Sequence, residues 1–520
     1  MLRTPSLTAQ MDGSPRGVAR GVPAVRKRKE RNPIVLPAAL FGVTLLLIVA
    51  HFAKLAELVF LAGSLSVAFV LYRRSPTHYI SFVCWLFFLS PLLRRLADFM
   101  SGSFNNTSPI MVAPLAAVSL CGLSLVRNLD SLGQRRAMPF VLAVIAMLYA
   151  FVIGMTEVGI AAALFAFINW IFPLLVAFHI SVTWRHYPEY HRVMLKTWVY
   201  GGLVMGAYGV WQYVQPPAWD AFWLLQTKMV ASGKPEPYAL RIWSTMNSTG
   251  PFAMTIMYVL QMAFATRGRL RILMAIVAVP ALLFTSVRSC WGGLLIGLAY
   301  PLLSLDGKSR RRLIAGVLGV AVLCTPLMMV DQVSNSLAKR FQTFDDISSD
   351  NSYRSRVMLY EWLLPTMLDN IAGQGIGSTG GAMKLSADGN SPAGGPAFDS
   401  GVMELPYVMG WPGTLLYVGG VMMLMWRAFK ATRLLPNDRF AICGFGVSLS
   451  IFCMMVMVNT LVSFSGMLFF IGVMMPLIGL RHAREQAGVK SARAVSAAGR
   501  PAAGSRAVSA TVPRAAKGTA

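Results

Sequence analysis

Residues 158–183 read VGIAAALFAFINWIFPLLVAFHISVT, a stretch without a single Asp, Glu, Lys or Arg. Its apolar positions are continuous rather than alternating, so it is a helix and not a barrel strand. A helix of about 20 residues spans the hydrocarbon core of a bilayer, and this run is longer than that. In lipid only helices and closed barrels satisfy their own backbone groups. Runs of the same kind recur near residues 34–50, 55–72, 79–93, 109–126, 137–156, 194–213, 247–266, 271–286, 289–304, 313–331, 403–426, 440–460 and 462–480. The reading is an all-α polytopic membrane protein with about fourteen transmembrane helices. Crowding of the first two runs, and of the ninth and tenth, leaves twelve to fourteen.

Composition agrees. The chain has 520 residues, 55% hydrophobic and 13% charged, and its mean hydropathy is +0.57. Soluble domains carry about 25% charged residues. The net charge of +26 would fit a nucleic-acid partner, but its distribution excludes one. Eight Lys/Arg lie in residues 1–33 and eight more from Arg481 onward, both in Ala-, Gly-, Ser- and Pro-rich segments that read as disordered. Starting inside and alternating sides, the inner segments hold 35 of the 47 Lys/Arg, as the positive-inside rule requires. Both termini are therefore expected in the cytoplasm, with residues 1–33 and 481–520 as disordered basic tails. The transmembrane blocks are then 34–331 and 403–480. The N-terminus lacks the pattern of a signal peptide. The six cysteines, Cys84, Cys121, Cys290, Cys324, Cys443 and Cys453, have no CxxC pair and read as small apolar residues, with neither disulfides nor a zinc site.

Two outer segments are long, 214–246 and 332–402, and loops of that length are commonly functional. Outer arginines run against the topological bias: Arg94, Arg95, Arg241, Arg288, Arg340, Arg354 and Arg356. Arg288 lies between two apolar runs with almost no loop, where a cation faces a partner or an aqueous cavity, or snorkels to headgroups. Arg241 precedes Asn247-Ser248-Thr249, which can cap the next helix or line a polar entrance. In the larger loop, 345–351 is acidic and turn-like, and 352–364 reads as an amphipathic helix with Arg356 and Tyr360 on one face. Next come Gly373-Gln374-Gly375-Ile376-Gly377, a turn that can be merely flexible or can offer amides to phosphate. It lacks the preceding strand of a dinucleotide-binding motif. Asp399 sits at the membrane surface as a helix cap or a functional carboxylate. Glu404 lies one turn into the apolar run, where a carboxylate needs a partner.

The order of these features resembles the O-antigen ligase/polymerase family of bacterial membrane glycosyltransferases. The resemblance rests on Thr285-Ser286-Val287-Arg288-Ser289-Cys290-Trp291-Gly292, on Arg356, Trp362, Gly375 and Gly377 in the large loop, on Asp399-Ser400, and on Gly410-Trp411-Pro412-Gly413. It covers roughly residues 200–425. It implies a periplasmic large loop, an inner-membrane location, and a substrate glycan carried on undecaprenyl diphosphate. By resemblance, Arg288 and Arg241 stabilise the leaving diphosphate, joined by Arg354 or Arg356, and Gly375 and Gly377 belong to the substrate-binding loop. Asp399 orients or deprotonates the acceptor hydroxyl, with Glu404 in reserve. The family often has His-Asn where this chain has Asp399-Ser400, and its O-antigen ligases depend on that histidine. The reading therefore favours an exopolysaccharide or capsule polymerase over a ligase, working without metal or cofactor. The partners implied are membrane lipid, a chain-length regulator and export proteins, with no nucleic acid. A transporter or flippase is the rival from another class. It would show ionisable residues near helix centres and internal repeats.

Overall fold

In a computed structural model the described residues are 32–266, 268–325, 351–385, 398 and 400–498. They form helices, most of them joined by short turns, with a longer strap over residues 228–248. In chain order these are α1 (Val35–Val49), α2 (Ala53–Arg74), α3 (Pro76–Ser101), α4 (Ala113–Ser119), α5 (Cys121–Arg127), α6 (Met138–Glu157), α7 (Ile160–Val182), α8 (Tyr187–Val214), α9 (Ala218–Thr227), α10 (Thr249–Met262), α11 (Leu270–Phe284), α12 (Arg288–Ser304), α13 (Gly307–Cys324), α14 (Asn351–Asp369), α15 (Gly401–Arg433), α16 (Arg439–Cys453) and α17 (Ser463–Ala498). Among the described residues, eight helical stretches are long and apolar enough to cross a membrane: Ala53–Arg74, Pro76–Ser101, Pro109–Arg127, Met138–Glu157, Ile160–Val182, Gly401–Arg433, Arg439–Val456 and Ser463–Val489. Val35–Val49, Thr249–Ala265 and Leu270–Phe284 are apolar but shorter.

Burial orders the bundle. The apolar part of α17 is 78% buried and that of α2 only 28%, so α17 is central and α2 peripheral. Lipid tails are as apolar as leucine, so packing rather than hydrophobic transfer joins such helices, and small residues let backbones approach. Gly472 of α17 supplies one such contact. A Cβ there would stand 2.6 Å from the carbonyl oxygen of Gly444 on α16.

The basic segments converge on one end. Arg427 donates to the carbonyls of Arg135 and Arg136 (both 3.0 Å), Arg185 pairs with Glu485 (3.1 Å), and Ser75 meets Glu189 (3.1 Å). The Tyr187 hydroxyl donates to Asp438, whose other oxygen caps α16 by accepting the Ala441 amide. The segments assigned by sequence to one side of the membrane are thus in mutual contact. The final helix also continues to Ala498 through residues expected to be disordered. That stretch is rich in alanine and arginine, both good helix formers, and its Glu485 pairs with Arg185. Four of the five cysteines described are buried as expected. Cys453 is exposed.

At the other end α15 is broken. Gly410 has φ 61° and ψ 179°, and Pro412 follows. In a continuous helix the carbonyl of Tyr407 would accept from the Trp411 amide, and that of Val408 from residue 412. Proline has no amide hydrogen, and the Trp411 amide turns instead to the Ile371 carbonyl (3.0 Å). The glycine-rich turn replaces both donors. The Gln374 amide reaches the Tyr407 carbonyl (2.8 Å), the Gly375 amide that of Val408 (3.0 Å), and the Ile376 amide that of Ala150 on α6 (2.9 Å). The turn is therefore inserted between α6, α7 and the two halves of α15.

Gly375 has φ 80°, and a Cβ there would collide with the backbone of Gly154. Gly375→Ala is expected to cost about 3 kcal/mol or more. Thermal melting of the detergent-purified protein measures this. Gly381→Ala, whose Cβ would meet nothing within 4 Å, should melt as the wild type does.

Candidate functional site

The end opposite the basic segments is organised by a buried ion pair. Arg95 of α3 is 1% exposed, and its Nε lies 2.9 Å from Oδ1 of Asp220 on α9, which is also 1% exposed. Two unpaired charges at that depth would be costly, and here each lies against the other. The Arg95 guanidinium also donates to the carbonyls of Met246 (2.7 Å) and Ser244 (2.6 Å). Oδ2 of Asp220 accepts from the Tyr208 hydroxyl (2.9 Å) and the Gln212 side chain (2.6 Å). Gln212 Oε1 accepts the amides of Trp243 (3.1 Å) and Ser244 (2.8 Å). Burial raises the Asp220 carboxyl above its ordinary range, and the Arg95 charge and these two donors oppose the shift. Arg94 is also buried, beside Asp98 (3.5 Å) and donating to the Asn105 carbonyl (2.6 Å). Both arginines are thus held inside the fold at this end of the bundle.

The network clamps residues 243–246, and with them the strap that carries Arg241. The Arg241 Nε donates to the Thr285 carbonyl (3.2 Å) and its Nη1 to that of Ala231 (3.1 Å). The neighbouring Ile242 amide meets the Phe284 carbonyl (3.4 Å). The strap therefore lies on the turn between α11 and α12. In that turn Ser286 has φ 55°, a left-handed conformation uncommon for a residue with a Cβ. The Thr285 hydroxyl closes onto the Leu282 carbonyl (2.6 Å). The turn ends at Arg288, the half-buried first residue of α12. Two segments more than 40 residues apart in sequence, each with a singled-out arginine, are thus in direct backbone contact. Asn247, Ser248 and Thr249 do not cap α10 through side chains as expected. The Thr249 hydroxyl faces the Arg241 carbonyl instead (3.3 Å).

The second group of candidates surrounds the start of α15. Glu404 is half-buried and accepts a hydrogen bond from the Thr379 hydroxyl (3.0 Å), so the glycine-rich turn and the carboxylate are joined. Ser400 accepts from the Tyr360 hydroxyl of α14 (3.0 Å). Gly401 lies against the backbone of buried Asn459. The two groups are connected through α12 and the segment that follows α16. One and a half turns, about 7.5 Å, below Arg288, Gly293 packs against Met454, five residues before Asn459.

Asp399 lies outside the described residues, as do Arg340 and most of 345–351; its flanking residues Phe398 and Ser400 are buried. Arg354 is on the exposed face of α14, and Arg356 belongs to the same helix with its side chain outside the described residues. Gly375 and Gly377 are buried, and Gly377 has φ 105° beside Ala162 of α7. The Gly375 amide, considered as a phosphate donor, is engaged by Val408. Sequence reading missed Asp220, Gln212 and Tyr208. A signal was present in the Arg94-Arg95 pair facing an outer segment that holds Asp220. No group of three or more His, Cys, Asp or Glu able to hold a metal occurs among the described residues. No protein-family model matches the chain, and no curated protein matches it.

Proposed function

We propose that the chain is a bacterial polysaccharide polymerase of the inner membrane, with about fourteen transmembrane helices and both termini in the cytoplasm. It transfers undecaprenyl-diphosphate-linked repeats onto growing chains at the periplasmic face. The observation that carries the reading is the packing of the Arg241 strap on the Thr285–Arg288 turn, at the end of the bundle that also bears Glu404. Two guanidinium-bearing segments at a membrane surface suit a leaving diphosphate, because arginine keeps its charge and binds phosphate oxygens through a two-pronged fork.

In the proposed reaction the acceptor hydroxyl oxygen bonds to the anomeric carbon as its bond to the diphosphate oxygen breaks. The diphosphate leaves with the electron pair, facing Arg241 and Arg288. The hydroxyl proton passes to Asp399, or to Glu404 in reserve. Arg354 or Arg356 extends the basic surface toward the glycan carrier. Chain-length and export partners would act on the product.

The test is polymer size in a deletion strain complemented with variants of equal expression. Asp399→Asn is expected to lower polymer yield about 10²–10⁴-fold while single lipid-linked repeats accumulate outside. Polymer that forms but never reaches lipid A core would identify a ligase instead. Repeats trapped on the cytoplasmic face would identify a flippase. The broken α15 bears on that rival, since transporters place discontinuous helices at their substrate sites. Here the carbonyls exposed by the break are taken by Gln374 and Gly375, which argues against an ion site there.

A further inference from the structure

Three segments far apart in the chain converge on the carboxylate of Glu404, one turn into α15. Thr379, at the end of the glycine-rich turn, donates its hydroxyl to Oε1 (3.0 Å). Asn459, in the segment between α16 and α17, brings its side chain beside the same carboxylate. Asn459 is 7% exposed, and the backbone two residues on fixes which way its amide points. Oδ1 accepts the Leu461 amide (3.2 Å), and Nδ2, which has no hydrogen-bond partner elsewhere, is left for Glu404.

Both donors are set in place by backbone contacts. A Cβ on Gly401 would stand 2.8 Å from the Asn459 Cα, so the bare glycine lets α15 begin directly against that residue. The Thr460 hydroxyl ties the same segment to the Ile451 carbonyl of α16 (2.8 Å). On the other side the Ser378 hydroxyl closes onto the Gly375 carbonyl (2.7 Å). The Gly375 amide is bound to Val408, one turn beyond Glu404 on α15 (3.0 Å).

A structural tie between these segments does not need a charge. The side-chain carbonyl of a glutamine at position 404 would accept from Thr379 and Asn459 alike. It would do so without the cost of a carboxylate in an apolar helix. Glu404 is also only half-buried, so the tie does not seal it. A carboxylate has about four acceptor sites, and two donors leave some of them for a ligand.

We infer that Glu404 accepts a hydrogen bond from the acceptor hydroxyl of the glycan, and that Thr379 and Asn459 are positioning residues that aim its carboxylate. The inference rests on the polymerase reading and deepens it. A group held in its working geometry before the substrate arrives loses little freedom when the reaction begins.

The test uses the purified full-length protein in nanodiscs, with the single lipid-linked repeats extracted from the deletion strain as the probe. Initial rates of polymer formation give kcat and KM, and melting curves control for folding. Thr379→Val keeps the shape and loses the hydroxyl. Asn459→Asp keeps the acceptor for Leu461 and loses the donor to Glu404. Each should lower kcat about tenfold or more, with KM changed less than about twofold. Thr379→Ser, which keeps the hydroxyl, should retain most of the rate. In a Glu404→Gln background Thr379→Val should cost nothing further, because it acts through that carboxylate. Variants at the wild-type rate, Thr379→Ser as slow as Thr379→Val, or an equal loss in the Glu404→Gln background would each overturn the inference and leave the polymerase reading standing. Rates that fall only in step with the melting temperature would reduce the three residues to a structural tie. Normally melting wild type that makes no polymer from the repeats would overturn the polymerase reading, and this inference with it.

Discussion

Arg288→Ala, in protein that reaches the membrane at wild-type level, is expected to cut polymer formation about 10²–10³-fold. That is the usual loss when one donor to a developing negative charge is removed. Arg288→Lys should restore a small part of it, because an ammonium supplies charge without the fork geometry. Arg288 begins α12 at the turn on which the Arg241 strap rests, so a purely structural role must be tested alongside. The separating readout is lipid-linked substrate. A variant that melts normally and accumulates single repeats has lost chemistry, whereas one that melts early has lost the turn. Wild-type polymer from a stable Arg288→Ala protein would remove Arg288 from the site.

The second large effect concerns Arg95. Arg95→Ala leaves the Asp220 carboxylate buried without its cation and takes a donor from the carbonyls of Ser244 and Met246. Breaking a buried pair from one side typically costs about 3–5 kcal/mol. The double variant Arg95→Met/Asp220→Leu should be less damaged than either single change, because no charge is stranded. A thermal-melting double-mutant cycle gives the coupling directly. If the single variants melt like the wild type, the network is not what holds the strap. Loss of the network should also release the Arg241 segment. Arg95 variants that still fold at lower temperature are therefore expected to lose polymerisation with it, although Arg95 lies too deep to meet substrate.

Both effects show how sequence and structure divide the information. The helices at 79–93 and 158–183 were legible because an apolar run of bilayer length is a local property of the chain. The loop helix expected over 352–364 also formed, as Asn351–Asp369, for the same reason: its alternation of polar and apolar positions is readable without partners. Of the two roles open to Asn247, Ser248 and Thr249, a side-chain cap by Ser248 is not formed, and the Thr249 hydroxyl donates to the Arg241 carbonyl. The tail after Arg481 was misread in part. Composition alone does not reveal that Glu485 will meet Arg185 across 300 residues of chain.

The glycine-rich turn is the clearest case at the candidate site. Read alone, its glycines fit a flexible loop or a phosphate cradle. Only in the fold do Gly373, Gly375 and Gly377 lie in left-handed conformations against neighbouring backbones, with two amides of the turn supplying the carbonyls that Gly410 and Pro412 expose. Likewise Arg95 and Arg288 look alike in sequence, as arginines at the outer ends of apolar runs. One is sealed against Asp220, and the other starts a helix beneath the Arg241 strap.

The sequence by itself determined the class of the protein and the grouping of its loops at two ends, because hydrophobic run length and the placement of Lys and Arg act residue by residue along the chain. The tertiary structure alone decided which of these arginines is sealed against a carboxylate and how the broken α15 is completed. Each of these depends on donors and acceptors far apart in sequence meeting at hydrogen-bonding distance where water is scarce, and there an unmade bond is expensive enough to fix the geometry.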